Sequence, residues 1–315
     1  MSFEVTIIGS NSAVPAHGRN PSAQVVTISD KLYLIDCGEG TQMRFQHCGI
    51  KWSKINQIFI SHLHGDHYFG LIGLISTYHL LKRIKPLEIF APAPLLDIIN
   101  AQLHVGKTTL CYELIFHPTD SNTSKLIYEN DEITVETIIL NHRIDCTGFL
   151  FREKQKDRKI NRDKMQEHNI SFDYVPELKK GNDIQLKETG ESFSNAELTI
   201  DPPQARSYAY CCDTAYDERI LHQLKNTDLL YHDCTFDKSG VERAKETFHT
   251  TTEQAATMAK KACVQKLLIG HFSAKYSDLN ILLEEAKEVF QNTELAIEGI
   301  TFEIPRIAEK VKVVE

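Results

Sequence analysis

Four side chains of the kind that hold metal ions fall within six residues, His62-Leu63-His64-Gly65-Asp66-His67. Neutral imidazoles with a carboxylate form the donor set of zinc or a similar borderline divalent metal. The hexapeptide follows an apolar run, Gln57-Ile58-Phe59-Ile60-Ser61, that reads as a buried strand. A strand end is a rigid anchor, and the turn beyond it can aim several side chains at one point. His62 and His64 are two apart, so in extended chain they face the same way. Asp66 and His67 follow on the next bend, where a helix can begin. Four solvated residues in a loop would be the bland alternative, and their density makes it improbable.

The same device recurs along the chain. Leu32-Tyr33-Leu34-Ile35 ends in Asp36, and Ile133 to Leu140 ends near His142. Tyr208-Ala209-Tyr210-Cys211-Cys212 ends in Asp213, and Lys266-Leu267-Leu268-Ile269-Gly270 ends in His271. Gathered along one edge of a sandwich, these side chains give a closed ligand count. His62, His64 and His142 would hold one metal, and Asp66, His67 and His271 another. Asp213 would bridge them, because a carboxylate can serve two ions roughly 3.5–4 Å apart. Asp36 is expected behind the ligands, fixing an imidazole tautomer by hydrogen bonding. Taken singly, His142 or His271 would more often be an ordinary histidine.

The elements that must position these residues read as a layered α/β (α+β) domain. Strand-like segments lie at 3–8, 23–28, 32–36, 57–61, 87–91, 133–140, 207–212, 228–232, 266–270 and 296–304. Helical patterns interleave at 68–82, 94–103, 216–225, 251–263 and 278–291. Such a mixture implies sheets covered by helices. The apolar helix at 69–81 could serve the core or a dimer face.

Composition sets the outer bounds. With 315 residues, 42% hydrophobic and 25% charged, the chain is long enough for one large domain or two ordinary ones. Its start reads as a strand rather than a signal peptide, and the stretch Phe69 to Leu81 is too short to span a bilayer. A cytoplasmic protein is therefore expected, with its eight cysteines as free thiols. The net charge of −8 does not suggest a nucleic-acid binder in bulk, but a polyanion feels the local field at a cleft. Locally, residues 152–164 carry a net +4 within a polar, weakly periodic stretch, 152–200. The bland reading of that run is a solvated face, and the functional one is an arm that contacts phosphates.

The sequence resembles the metallo-β-lactamase superfamily, whose His-x-His-x-Asp-His signature stands at 62–67. Within it the resemblance is much closer to ribonuclease Z, the tRNA 3′-processing endonucleases. The residues that carry it span most of the chain. They include Gly9-Ser10-Asn11-Ser12-Ala13-Val14-Pro15 with Arg19-Asn20, and Leu34-Ile35-Asp36-Cys37-Gly38-Glu39-Gly40-Thr41-Gln42. Asn141-His142-Arg143, Cys212-Asp213-Thr214, His249-Thr250-Thr251 and Gly270-His271-Phe272-Ser273-Ala274-Lys275-Tyr276 complete it. The resemblance implies a four-layer αββα sandwich forming one domain over 1–315, two zinc ions per chain and a homodimer. It implies precursor tRNA as substrate, with 152–200 as an inserted arm that grips it. It places metal ligands at His62, His64, Asp66, His67, His142, Asp213 and His271. Asp66 matches the proton acceptor, and His249 matches a histidine near the cleavage site. Asp233 falls in a His-Glu-Ala-Thr-like motif, here His232-Asp233-Cys234-Thr235, and is expected to orient or charge His249.

Three departures bear on that expectation. Cys212 replaces a glycine before the bridging aspartate. Asp233 replaces a glutamate, which shortens its reach towards His249 by one methylene. The arm lacks a Pro/Gly-rich run, and Asn169-Ile170-Ser171-Phe172-Asp173-Tyr174 stands in that neighbourhood. Two other functions remain open on sequence: a hydrolase of small phosphodiesters, thioesters or lactones, and a metal-dependent RNA-binding protein without turnover.

Overall fold

The computed structural model describes residues 2–306. These divide into two compact units, residues 2–152 with 206–304, and residues 153–205 with 305–306.

The larger unit is built on two seven-stranded sheets. In the first, the order is Thr301–Glu303, Phe3–Gly9, Ala23–Ile28, Lys31–Ile35, Ile55–Phe59, Leu87–Pro92 and Leu114–Thr119. In the second, it is Thr293–Leu295, Lys266–Gly270, Leu229–Asp233, Ser207–Cys211, Thr147–Glu153, Ile133–Ile139 and Leu126–Glu129. The last four strands of the first sheet pair in parallel, as do the first four of the second. Parallel neighbours end on the same edge of a sheet. That is why a series of strands can deliver Asp36 and His62 from one sheet, and Asp213, Asp233 and His271 from the other.

Side-chain alternation explains the layering. Tyr33 and Ile35 face a core that also holds Phe59, Phe90, Phe149, Phe151, Tyr208, Tyr210, Tyr231 and Leu268, between the sheets. Their neighbours Leu32, Leu34, Ile58 and Ile89 face the opposite way, against Leu71, Leu74, Ile75 and Tyr78 of the helix Leu71–Leu80 and Leu95 and Ile99 of Pro94–Val105. On the second sheet Ala209, Cys211, Leu230, Leu267 and Ile269 meet Ala255, Ala256 and Ala259 of Thr252–Lys261 and Leu282 and Ala286 of Asn280–Val289. Strands buried on both faces read as near-continuous apolar runs. The result is the expected αββα sandwich.

Most elements fall where the sequence places them, with shifts at their ends. The expected strand at 57–61 runs Ile55–Phe59, so Ser61 and His62 lie beyond it. The helix expected at 216–225 is a 3₁₀ turn, Glu218–Ile220, followed by Leu221–Leu224. The segment 296–304 keeps only Thr301–Glu303 as strand. The helix Thr252–Lys261 opens on a capping box in which Thr251 and Gln254 satisfy each other's backbone N–H groups.

The smaller unit contains short elements around a core of its own. Helices Arg162–Glu167, Val175–Lys179 and Asn195–Leu198 surround Met165, Ile170, Leu178, Ile184, Leu186, Phe193 and Leu198. Two ribbons, Lys159–Ile160 with Thr199–Ile200 and Ile184–Gln185 with Ser192–Phe193, tie it together. Its apolar residues are too few for a strong period in the sequence, yet they converge. No helix among the described residues is long and apolar enough to cross a membrane.

Candidate metal centre

Every histidine and aspartate singled out for metal binding arrives in one place. His62 Nε2, His64 Nδ1 and His142 Nε2 converge, with His64 Nδ1 3.0 Å from His62 Nε2 and 3.1 Å from His142 Nε2. Asp213 Oδ2 lies 3.6 Å from His62 Nε2 and 4.0 Å from His142 Nε2. Its other oxygen, Oδ1, lies 3.4 Å from His67 Nε2 and 3.0 Å from His271 Nε2. Asp66 Oδ2 completes that second group, 3.5 Å from His67 Nε2 and 3.6 Å from His271 Nε2. Asp213 thus turns one oxygen to each group.

These residues suit a pair of divalent cations on three counts. The donor set is imidazole and carboxylate. Atoms bound about 2.0–2.1 Å from one tetrahedral ion stand roughly 3.3 Å apart, within the observed range of separations. Most tellingly, His67 Nε2 and His271 Nε2 are buried without a hydrogen-bond partner. A buried polar atom left unmatched is costly, and a cation at that point would satisfy both.

Four of the five imidazoles are held by their other nitrogen. Asp36 accepts from His67 Nδ1 at 2.7 Å. Ser61 Oγ stands 3.0 Å from His62 Nδ1 and donates to Asp36 Oδ2 at 3.0 Å. His142 Nδ1 faces the Phe248 carbonyl at 3.2 Å, and His271 Nδ1 faces Thr235 Oγ1 at 3.0 Å. These contacts select the Nδ1–H tautomer and leave Nε2 for a metal. Asp36 is fully buried and accepts further bonds from Ser61 N–H at 2.8 Å and Tyr210 O–H at 2.6 Å. One carboxylate therefore braces a histidine of each group. Asp36 and His271 have φ of 55° and 61°, the left-handed region at which the chain turns sharply off its strand.

Electrostatics divide the two groups. Burial, aided by His67, holds the His62 imidazole well below its ordinary pKa, and burial brings His142 down to about 4. Both stay neutral, with lone pairs available. Burial also opposes charge on His67 and His271, but the surrounding carboxylates outweigh it. Asp213, Asp66 and Asp36 raise His67 well above its usual range, and Asp213 leads in raising His271 to about 10. The second group calls for positive charge, which a metal supplies in place of protons. Burial would raise Asp66 and Asp213, yet the facing histidines hold both carboxyls well below the carboxylate range.

Asp233 and His249 form a pair beside this cluster. His249 Nδ1 lies 2.7 Å from Asp233 Oδ2, so aspartate reaches the imidazole despite its shorter side chain. Asp233 also accepts from Thr235 Oγ1 at 2.8 Å and Thr235 N–H at 3.0 Å. Burial works against the charge on His249, but the Asp233 carboxylate raises its pKa overall. The His249 ring lies 5.6 Å from that of His142 and 5.2 Å from that of His271. Cys212 is core, as its apolar run implies, and its thiol donates to Asp213 Oδ1 at 3.0 Å. Burial and Asp213 push that thiol well above its ordinary pKa, so it stays protonated and is a poor metal ligand.

A cavity of about 370 Å³ opens over the cluster, with His64, Asp66, Asp213, His249 and His271 on one side and Ala13, Val14, Phe69 and Arg143 around the mouth. Ala13 N–H donates to Asp66 Oδ2 at 2.8 Å. Arg143 Nε approaches His64 Nε2 at 3.4 Å. With a metal on His64 Nδ1, Nε2 would carry the proton and could no longer accept from the guanidinium.

Comparison with known proteins assigns the family. A protein from Bacteroides fragilis (strain YCH46) named ribonuclease Z is 47% identical over 300 residues, 95% of this chain and 98% of that one. The chain belongs to the ribonuclease Z family. A Parabacteroides distasonis ribonuclease Z is 42% identical over 96% of this chain and 99% of its own length. Among solved structures, human tRNase Z, short form (ELAC1), superposes with a TM-score of 0.70 at 28% identity, covering 96% of this chain and 99% of that one. The metallo-β-lactamase fold protein YhfI from Bacillus subtilis, 18% identical with a TM-score of 0.66, shares the fold. Residues 3–169 also match the family described as Anti-Pycsar protein Apyc1, which places that part of the chain in that family as well. That stretch ends before Asp213, Asp233, His249 and His271. As a member of the ribonuclease Z family the chain is a hydrolase of the metallo-β-lactamase fold.

Sequence reasoning missed several supporting groups. Ser61 precedes the 62–67 signature and Thr235 ends the 232–235 motif, and their hydroxyls beside a ligand strand were a usable signal. Tyr210 reaches Asp36 across 174 positions of sequence, and only strand alternation hints at its inward face.

Proposed function

We infer that this protein is a metal-dependent endoribonuclease that removes the 3′ trailer from precursor tRNA by phosphodiester hydrolysis, leaving a 3′-hydroxyl on the tRNA. The observation that carries the reading is Asp213, one oxygen turned to each of two histidine groups, in a chain nearly half identical to a ribonuclease Z along its length. His62, His64, His142 and Asp213 would hold one zinc ion, and Asp66, His67, His271 and Asp213 the other. Zinc would supply positive charge for the phosphoryl oxygens and lower the pKa of water to roughly 7.

The chain's own residues do the rest. Asp66 orients the attacking water and accepts its proton; Oδ2 carries the contacts to Ala13, His67 and His271, which leaves Oδ1 for the water. His249, kept charged by Asp233, protonates the departing 3′-oxygen. The dry wall around Asp36 keeps the imidazoles in one tautomer throughout.

The compact unit at 153–205 is the candidate tRNA-gripping arm. Within it a groove of about 910 Å³ is lined by Lys156, Arg158, Lys159, Arg162 and Lys179, with Asp157, Asp163 and the exposed Phe172. Some of that charge is paired, as between Arg158 and Asp201. The reading extends to a cytoplasmic homodimer, for which the exposed Leu80, Leu81 and Ile84 offer apolar surface. A second reading keeps the centre and exchanges tRNA for a small phosphodiester. It is favoured by the arm, where Phe172–Tyr174 is a 3₁₀ turn in place of a Pro/Gly-rich run.

Cleavage of an end-labelled precursor tRNA by the zinc-loaded protein tests the proposal. One cut after the unpaired nucleotide that follows the acceptor stem, lost in Asp66→Ala, is expected. Turnover of a small diester with the precursor left intact would favour the second reading.

A further inference from the structure

We propose that Phe69 is a stacking platform for a nucleobase beside the scissile phosphate. The proposal rests on the RNA-cleaving reading above and adds a positioning residue to it. Phe69 is 63% exposed, yet it lines the same cavity as His64, Asp66, Asp213 and Arg143. A single exposed apolar side chain is ordinary on a protein surface. This one is unusual in lying over Gly65 at the mouth of a candidate metal centre.

Several contacts hold it. Phe69 N–H donates to Gly65 O at 3.0 Å, closing the turn of Gly65–Tyr68. The ring then lies over Gly65, so close that a Cβ there would stand 2.2 Å from a ring carbon. The following residue is clamped too. Gly70 N–H donates to Cys37 O at 2.9 Å, and a Cβ on Gly70 would stand 2.2 Å from Gly38 O. Tyr68 meets the ring edge-on at 5.1 Å. A preformed aromatic face has little freedom to lose when a ligand covers it.

An RNA strand offers a partner of matching chemistry. Unpaired bases next to a cleavage site can be splayed out and stacked on aromatic side chains. Such stacking tolerates any base, because every base has a π-face. Arg143 in the same cavity supplies positive charge for the adjoining phosphate. Phe69 would thus set where the phosphate stops relative to Asp66 and Asp213, rather than act on the bond.

The probe is a precursor tRNA with a non-hydrolysable phosphonate at the cleavage position. It carries 2-aminopurine at one or the other flanking nucleotide. Binding to the metal-loaded protein should quench fluorescence at one of the two positions. Phe69→Leu should abolish the quench, and Phe69→Trp should restore it. On a cleavable precursor Phe69→Leu should lower kcat/KM roughly 5- to 100-fold, with metal content near wild type. On a precursor abasic at the quenched position the substitution should change nothing. Absence of quenching at both positions, or equal loss on intact and abasic precursors, overturns the proposal. If the wild-type protein leaves the normal precursor uncut, the RNA-cleaving reading itself fails and the platform falls with it. Cutting without coupling to Phe69 removes the platform alone.

Discussion

Asp36→Asn isolates the one carboxylate that braces both halves of the centre without touching a metal. Its Oδ2 accepts from His67 Nδ1, Ser61 Oγ and Tyr210 O–H, while Oδ1 accepts from Ser61 N–H. The substitution keeps the shape and puts an amide N–H₂ or a neutral oxygen where three donors converge. If the N–H₂ faces His67, that ring must present a lone pair on Nδ1. It then carries its proton on Nε2, the atom aimed at the second metal position. Ser61 Oγ loses its acceptor as well, and with it the orientation that favours His62 Nδ1–H. Loss of such supporting groups costs roughly 10- to 100-fold in metal affinity, about 1.4–2.8 kcal/mol. Both positions should weaken, because one histidine of each leans on Asp36. Ser61→Ala should weaken only the position that holds His62. Asp36→Ala is the wrong variant, since it strands four buried donors. At about 1–3 kcal/mol each, that approaches the whole stability of a domain, roughly 5–15 kcal/mol. The assay is chelator competition on the folded proteins, with thermal unfolding as a check on integrity. A folded Asp36→Asn protein with two unchanged metal affinities would refute the bracing argument. So would Ser61→Ala weakening both positions equally.

Other outcomes follow from the same geometry. His249→Ala should lower kcat by ~10²–10⁴-fold, the worth of a general acid, while both metals stay bound on elemental analysis. Asp233→Asn should lose part of that activity through the 2.7 Å contact, and steady-state kinetics on one precursor would compare the two. Asp213→Ala should empty both positions together; retention of one metal at full occupancy would count against the bridge. Charge reversal at Lys159, Arg162 and Lys179 should weaken precursor binding and flatten its salt dependence by about 0.9 per lost phosphate contact. Hydrolysis of a small diester by that variant should not change.

How much of this was legible in the sequence depended on where the chemistry sat. The clustering of these side chains was readable because parallel strands ending on one edge turn a one-dimensional pattern, apolar run then Asp or His, into a cluster. The pairing of Asp213 with both histidine groups follows from ligand count. The choice of tautomer does not, because it rests on Phe248 O, Thr235 Oγ1 and Ser61 Oγ, and backbone carbonyls carry no sequence signal. Strands at Leu114–Thr119 and Leu126–Glu129 escaped notice because they lie towards sheet edges and are only half-buried, which blurs their period. The arm's small core was hidden for a related reason. Met165, Ile170, Leu178, Ile184, Phe193 and Leu198 come from short elements, none long enough to repeat. Aspartate at 233 raised a question of reach that the 2.7 Å contact with His249 answers.

Anomalous diffraction at the zinc absorption edge, from crystals of the zinc-loaded protein, tests the central claim most directly. The expected result is two peaks roughly 3.5–4 Å apart, one beside His62, His64 and His142, the other beside Asp66, His67 and His271, with an oxygen of Asp213 on each. A single peak, or two that do not share Asp213, would contradict it.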